Sequence, residues 1–224
     1  MRGAVLALML ATPVAAQEIA RADLVEPTDR YDHAILGDAL EWGALRLTHA
    51  GGGTVTVRLP ETRVFEDTEA RIIRLEDGRD AVLVVETDLA LGASVTVYAA
   101  DGRKLAATPF IGQPHRWFAP VGAADFDGDG QVDLAFVDRP HLQKDLVFAR
   151  REGERLVAFA RISGLTNHRI GDRQISSGIR DCGQGPEVVL ANADWTRLMV
   201  ATAQDRRDIG PFSPAALRKA LRCD

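Results

Sequence analysis

What the chain lacks narrows it first. Beyond residue 16 no run approaches eighteen unbroken apolar residues, so no later segment has the length of a membrane-spanning helix. There is no basic block: 27 Lys and Arg are interspersed with 32 Asp and Glu, which leaves nothing that suggests nucleic acid. G-x-S-x-G, H-E-x-x-H and C-x-x-C are all missing. Their absence removes the commonest signatures of serine hydrolases, zinc proteases and thiol redox proteins. Cysteine is scarce, with only Cys182 and Cys223.

The N-terminus explains how two cysteines are used. "MRGAVLALMLATPVAA" joins a positive residue, Arg2, to an apolar run from Ala4 to Ala11, then Pro13 and small residues ending at Ala16. This is the pattern of a secretory signal peptide cleaved after Ala16, and it predicts a periplasmic or secreted protein. Without Arg2 the formal charge moves from −5 to −6, and residues 17–224 form one domain with enough chain for a sizeable core. In an oxidising compartment, a Cys182–Cys223 disulfide is the default.

Internal similarity sets the architecture. "LEDGRDAVLVVETD", "DFDGDGQVDLAFV" and "CGQGPEVVLANAD" each place a glycine turn and an acidic residue before four or five apolar residues. Their glycines, Gly78, Gly130 and Gly185, are 52 and 55 residues apart, and a weaker copy surrounds Gly43. Each apolar run leads to a second β-rich segment: "TVTVRL", "SVTVYA", "DLVFAR" and "RLMVAT". Three copies add a further strand, near Arg63–Phe65, Leu105–Phe110 and Leu156–Ile162. The repeat is a β-meander of about four strands, spanning about 31–65, 66–112, 113–164 and 165–210. Such units hide their apolar faces by stacking around an axis, so an all-β fold is expected: a small β-propeller of about four blades. The fourth repeat lacks an outer strand. Glu18–Val25 is the preferred segment to supply it, with Asp205–Gly210 as the rival. One helix is expected over 213–221, with Ser213 as its N-cap and Pro214 at its first position.

The third glycine turn carries the clearest chemistry. Asp125, Asp127, Asp129 and Asp133 occupy positions 1, 3, 5 and 9 of a run in which Gln131 offers a backbone carbonyl at position 7. Two carboxylates about 5 Å apart repel by roughly 3 kcal/mol at an effective dielectric near 20, so a cation belongs among them. An all-oxygen set suits calcium and not zinc or copper. Position 12 is Phe136, inside a strand, so the loop is not an EF-hand.

"VGAADFDGDGQVDLAFVD" resembles an FG-GAP (VCBS) repeat, the calcium-loop repeat of integrin-α-type β-propellers. Its D-x-D-x-D-G-x-x-D ligands fall on Asp125, Asp127, Asp129, the Gln131 carbonyl and Asp133. The resemblance is strong over residues 116–164 and implies one calcium ion in one blade. The second repeat keeps Glu76, Asp77, Gly78 and Asp80, and the fourth keeps Asp181 and Glu187. The resemblance implies a propeller with a binding function and names no ligand.

The links between repeats carry the remaining polar chemistry. Equivalent loops of a propeller emerge on one face, which would gather His33, Glu66, Asp67, Arg116, Trp117, His168 and Arg169. The strand ends Asp138, Arg139 and His141, with Asp194 and Trp195, can join them. A solvated rim is the plain reading of that face, and a metal or acid–base site on His33 and His168 the sharper one. Three functions are open. The first is a non-catalytic module binding a protein or a glycan. The second is a hydrolase or lyase using the His/Asp/Arg face, and the third a structural subunit of an envelope complex.

Overall fold

A computed structural model describes residues 18–37 and 39–224. The signal-peptide pattern lies outside the described residues. The fold is all-β, with seventeen strands and one short helix among the described residues. No helix among them is long and apolar enough to cross a membrane.

The strands run as successive antiparallel meanders. The first comprises β1 (Ile19–Thr28), β2 (Glu41–His49) and β3 (Thr54–Arg58), and a short β4 (Arg63–Phe65) follows. The second is β5 (Arg71–Arg74), β6 (Asp80–Asp88), β7 (Gly92–Ala99) and β8 (Lys104–Ala107). The third is β9 (Phe118–Ala124), β10 (Asp133–Asp138), β11 (Asp145–Glu152) and β12 (Arg155–Ser163). After β13 (Leu165–Thr166) come β14 (Gly178–Asp181), β15 (Pro186–Asn192), β16 (Arg197–Ala201) and β17 (Arg206–Pro211). The helix α1 (Pro214–Ala220) ends the chain.

Two open sheets result. β4 bridges β2 and β6, and a single parallel pairing of Arg155 with Ala107 joins β12 to β8. The first three meanders therefore make one curled twelve-stranded sheet, and β13–β17 a separate five-stranded one. The first strands of successive meanders also touch: β1 meets β5, β5 meets β9, and β9 meets β14. At the last contact Gly122 has φ 156°, and a Cβ there would sit 2.9 Å from Ile179 Cδ1. A side chain there would have to push the tip of Ile179 aside, which glycine avoids.

One expectation is corrected here. β1 pairs along its length with β2, and the last sheet is completed instead by β17 on β16. Alternation identifies Glu18–Val25 as a strand but says nothing of its neighbour. Burial on both sides explains the continuous apolar runs of β6 and β10, where nearly every residue is inaccessible. The β10 side chains and Ala81, Leu83 and Val85 of β6 merge with Trp117, Phe148, Leu165 and Leu190 into the main core. Val82 and Val84 join a second cluster with Leu45, Leu47, Phe65 and Tyr98.

The helix is built as its sequence requires. Ser213 accepts a hydrogen bond from the Ala216 amide at 3.0 Å, and Arg218 and Lys219 sit in the last turn, against the negative end of the dipole. Leu217 and Ala220 cover Val189, Leu198 and Val200. The expected Cys182–Cys223 disulfide is present and ties the tail to the turn between β14 and β15. Closing a separation of 41 residues stabilises by about 4 kcal/mol in the chain-entropy model.

Candidate functional site

Two charged sites stand on the turns. The first is the aspartate loop between β9 and β10. Gly128 and Gly130 adopt φ of 79° and 84°, letting the backbone curl so that its amides turn inward. Asp125 accepts from the amides of Gly128 (2.7 Å), Asp129 (3.1 Å) and Gly130 (2.9 Å). Asp133, fully buried at the start of β10, accepts only from the Phe126 amide, at 3.2 Å on Oδ2. Its Oδ1 is buried without a hydrogen-bond partner.

Asp125, Asp127 and Asp133 bring carboxylate oxygens within 4.8 Å of one another, a group that could hold a metal ion. Burial, with Asp127 and Asp129 adding repulsion, pushes the Asp133 carboxyl up to about 6. Asp129 turns aside: its carboxylate accepts from the Gln131 amide at 2.8 Å and from the Gln131 side chain at 3.1 Å. Arg150 on β11 stands at the edge, 2.5 Å from Asp127 and 3.4 Å from Asp129. Its guanidinium lies 4.2 Å from the centre of the Phe159 ring.

The second site is a cleft that sequence separation conceals. His33, His115, Arg116, Trp117, Arg139 and His141 line a space of about 20 Å³, room for one or two water-sized groups. Each imidazole is anchored from behind. His33 Nδ1 lies 2.5 Å from Oε1 of Glu66, a carboxylate with no exposed surface. Thr87 donates to the other Glu66 oxygen at 2.7 Å, and the Trp117 indole donates to the Glu66 carbonyl at 2.7 Å. Burial pushes the Glu66 carboxyl up, while the bonds from His33 and Thr87 pull it back.

His115 Nε2 lies 2.7 Å from Asp32, its ring stacks on buried Tyr31, and its amide donates to the Tyr31 hydroxyl at 2.7 Å. His141 Nε2 lies 3.0 Å from His168 Nδ1, and His168 Nε2 lies 2.8 Å from the Asp172 carbonyl. A carbonyl only accepts, so His168 carries its proton on Nε2 and takes one from His141 Nε2. Burial first, then the neighbouring cationic groups, lowers His141 to about 4, and burial lowers His168 as well.

The backbone around this cleft is strained. Ala34, His115 and Arg139 adopt φ of 50°, 55° and 45°, which non-glycine residues rarely take. Such positions cost energy and cluster where a site must be shaped.

The residues expected on one face divide. His33, Arg116, Trp117, Arg139 and His141 share the cleft, with Glu66 and His168 behind them. Asp67 is buried in a different role, accepting from Arg71 at 2.9 Å and from the Val85 amide at 3.0 Å. Asp138 neutralises Arg139 and Arg161. Arg169 covers Trp195 at 4.2 Å, near Phe212, in another corner. Asp194 caps its own turn through Thr196. His33 and His168 do not form a metal group: among the described residues, only the three aspartates meet that geometry. His115 and Tyr31 were not singled out in the sequence. The one signal available was that four of the five histidines lie in links between strands.

No protein-family model matches the chain, and no curated protein does. Among solved structures, the crystal structure of a protein of unknown function from Bacteroides caccae is similar, with a TM-score of 0.43 and 12% identity over 78% of this chain. The match spans 56% of that protein's length, and likeness at this level carries no functional argument.

Proposed function

We propose that this chain is an exported, calcium-binding module of FG-GAP type that holds a protein or glycan ligand without chemical change. The carrying observation is Asp133 Oδ1, buried, unpartnered and grouped with Asp125 and Asp127. A buried carboxylate oxygen without a donor is costly, and a hard cation relieves it. Asp129 and the Gln131 carbonyl complete the ligand set when Arg150 yields its place. The propeller reading draws support from the successive meanders whose first strands touch in order. Export draws support from the disulfide and the N-terminal pattern.

Thermal melting with calcium and with a chelator, in the wild type and in Asp133→Asn, tests the reading. Calcium at a hundredfold excess over its dissociation constant should stabilise the wild type by about 2.7 kcal/mol. Extracellular calcium modules bind at about 10⁻⁴–10⁻³ M, which sets the concentrations to use. Asp133→Asn should not respond. Identical wild-type curves, with no calcium by elemental analysis, would make the loop a turn only.

A second reading, a hydrolase, is favoured by one observation: the short contact of His33 with buried Glu66. A base oriented by a buried carboxylate is half of a catalytic constellation. No nucleophile beside His33 completes it among the described contacts, so binding remains the first reading.

A further inference from the structure

The cleft offers two kinds of hydrogen-bonding group, and together they describe a ligand. Arg116 is half-buried, donates to the His115 carbonyl at 2.8 Å, and makes no ion pair among the described residues. Arg139 gives Nε and one terminal nitrogen to Asp138, which leaves its other terminal nitrogen. These are donors that suit an anion. His141 is the opposite. The chain from the Asp172 carbonyl through His168 fixes its proton on Nε2, so Nδ1 keeps a lone pair and can only accept. No carboxylate lines the space; Glu66, Asp32 and Asp138 bond to residues that do.

A simple anion satisfies the arginines and faces the His141 lone pair unfavourably. A metal cation satisfies the lone pair and meets Arg116. A group that is anionic and also carries an adjacent hydroxyl satisfies both. We propose that the cleft between the β8–β9 and β10–β11 links binds a hydroxycarboxylate, its carboxylate on Arg116 and Arg139 and its hydroxyl donating to His141. The volume, about 20 Å³, takes the hydroxyl and one carboxylate oxygen of such a group and leaves the remainder of the molecule in solvent, as for the acid end of a sugar acid. This deepens the binding-module reading by naming a ligand class, and it does not depend on the calcium loop.

The experiment is side-chain nuclear magnetic resonance on the full chain, following the Trp117 indole and the His141 imidazole. Glycolate, acetate and glycerol are titrated at constant ionic strength, with and without calcium. Glycolate should give saturable shifts about tenfold tighter than acetate, the worth of one well-made hydrogen bond in a confined site. Glycerol should not saturate. Arg116→Gln should weaken glycolate about tenfold, because a charge-assisted bond is lost. Arg58→Gln, at an exposed ion pair elsewhere, should change nothing.

Equal affinity for acetate and glycolate overturns the proposal, as does an unchanged Arg116→Gln. Shifts of His49 matching those of His141 would show a non-specific effect and overturn it too. Failure of glycolate with an intact calcium response removes this inference alone. Saturable glycolate binding without any calcium response supports it and removes the metal.

Discussion

The aspartate loop and the histidine cleft handle charge in opposite ways. The loop gathers carboxylates and leaves one guanidinium, Arg150, at its edge. The cleft never leaves an acid unanswered: Glu66 meets His33, Asp32 meets His115 and Asp138 meets Arg139. A site with unbalanced charge is completed by an ion. A site already balanced can select only by the geometry of its remaining donors and acceptors, which is a condition for specificity.

The largest expected difference is in the cost of removing one carboxylate from each site. Glu66→Ala leaves His33 facing a cavity and Thr87 without its acceptor. Leaving Thr87 and His33 without this acceptor costs about 1–3 kcal/mol for each unsatisfied group. Asp127→Ala in calcium-free protein relieves repulsion within the loop but also removes the Arg150 ion pair, so the two effects offset and the net change should be under about 1 kcal/mol. Urea unfolding of both variants in chelator makes the comparison. Equal destabilisation would mean that the loop, like the cleft, is balanced without an ion.

Acid should separate the two sites by sign. In calcium-free protein Asp133 is raised from 3.8 to about 6, so the folded chain holds a proton that the unfolded chain releases. Its contribution is present below about pH 4 and is lost as pH rises through 6. His141 is lowered from 6.5 to about 4, so its contribution is present above 6.5 and is lost as pH falls through 4. Each group alone gives a slope of at most about 1.4 kcal/mol per pH unit. Unfolding free energies between pH 4 and 7 in chelator should therefore lose opposite components in Asp133→Asn and His141→Asn. Slopes changed in the same direction by both variants would break the contrast.

The two sites also differ in how far the sequence discloses them. Asp125, Asp127 and Asp133, whose oxygens lie within 4.8 Å of one another, stand at short intervals along one backbone, so the group is legible as a string. The disulfide was legible because two cysteines leave one pairing. The cleft is assembled from links far apart: His115 meets Asp32 and Tyr31 across more than 80 residues. Periodicity finds strands but not their neighbours, which is why β1 was expected on the last sheet and lies on β2. Polarity alone gathered too much, since Asp67, Arg169, Asp194 and Trp195 have partners of their own elsewhere. The role of Arg150 was hidden for the same reason, its partner Asp127 lying 23 residues away.

Arg150 supplies the smallest and sharpest comparison. Its guanidinium now neutralises Asp127 and Asp129, so it competes with any cation the loop takes. Two effects follow from replacing it by Gln. The metal-free loop loses its one positive neighbour, and Asp133, which Arg150 helps to keep ionised, is protonated more readily. The calcium-bound loop loses a repulsion between like charges a few ångströms apart in a largely hydrated setting. Calcium should then bind about fivefold more tightly to Arg150→Gln than to the wild type, the size of a partly screened repulsion. The gain should shrink in high salt, since the half-buried guanidinium stands at the solvent edge of the loop and acts through a partly screened field. Isothermal titration at two ionic strengths reads both effects. Weaker binding to Arg150→Gln would mean that the guanidinium shapes the ligand set instead of occupying the ion's place.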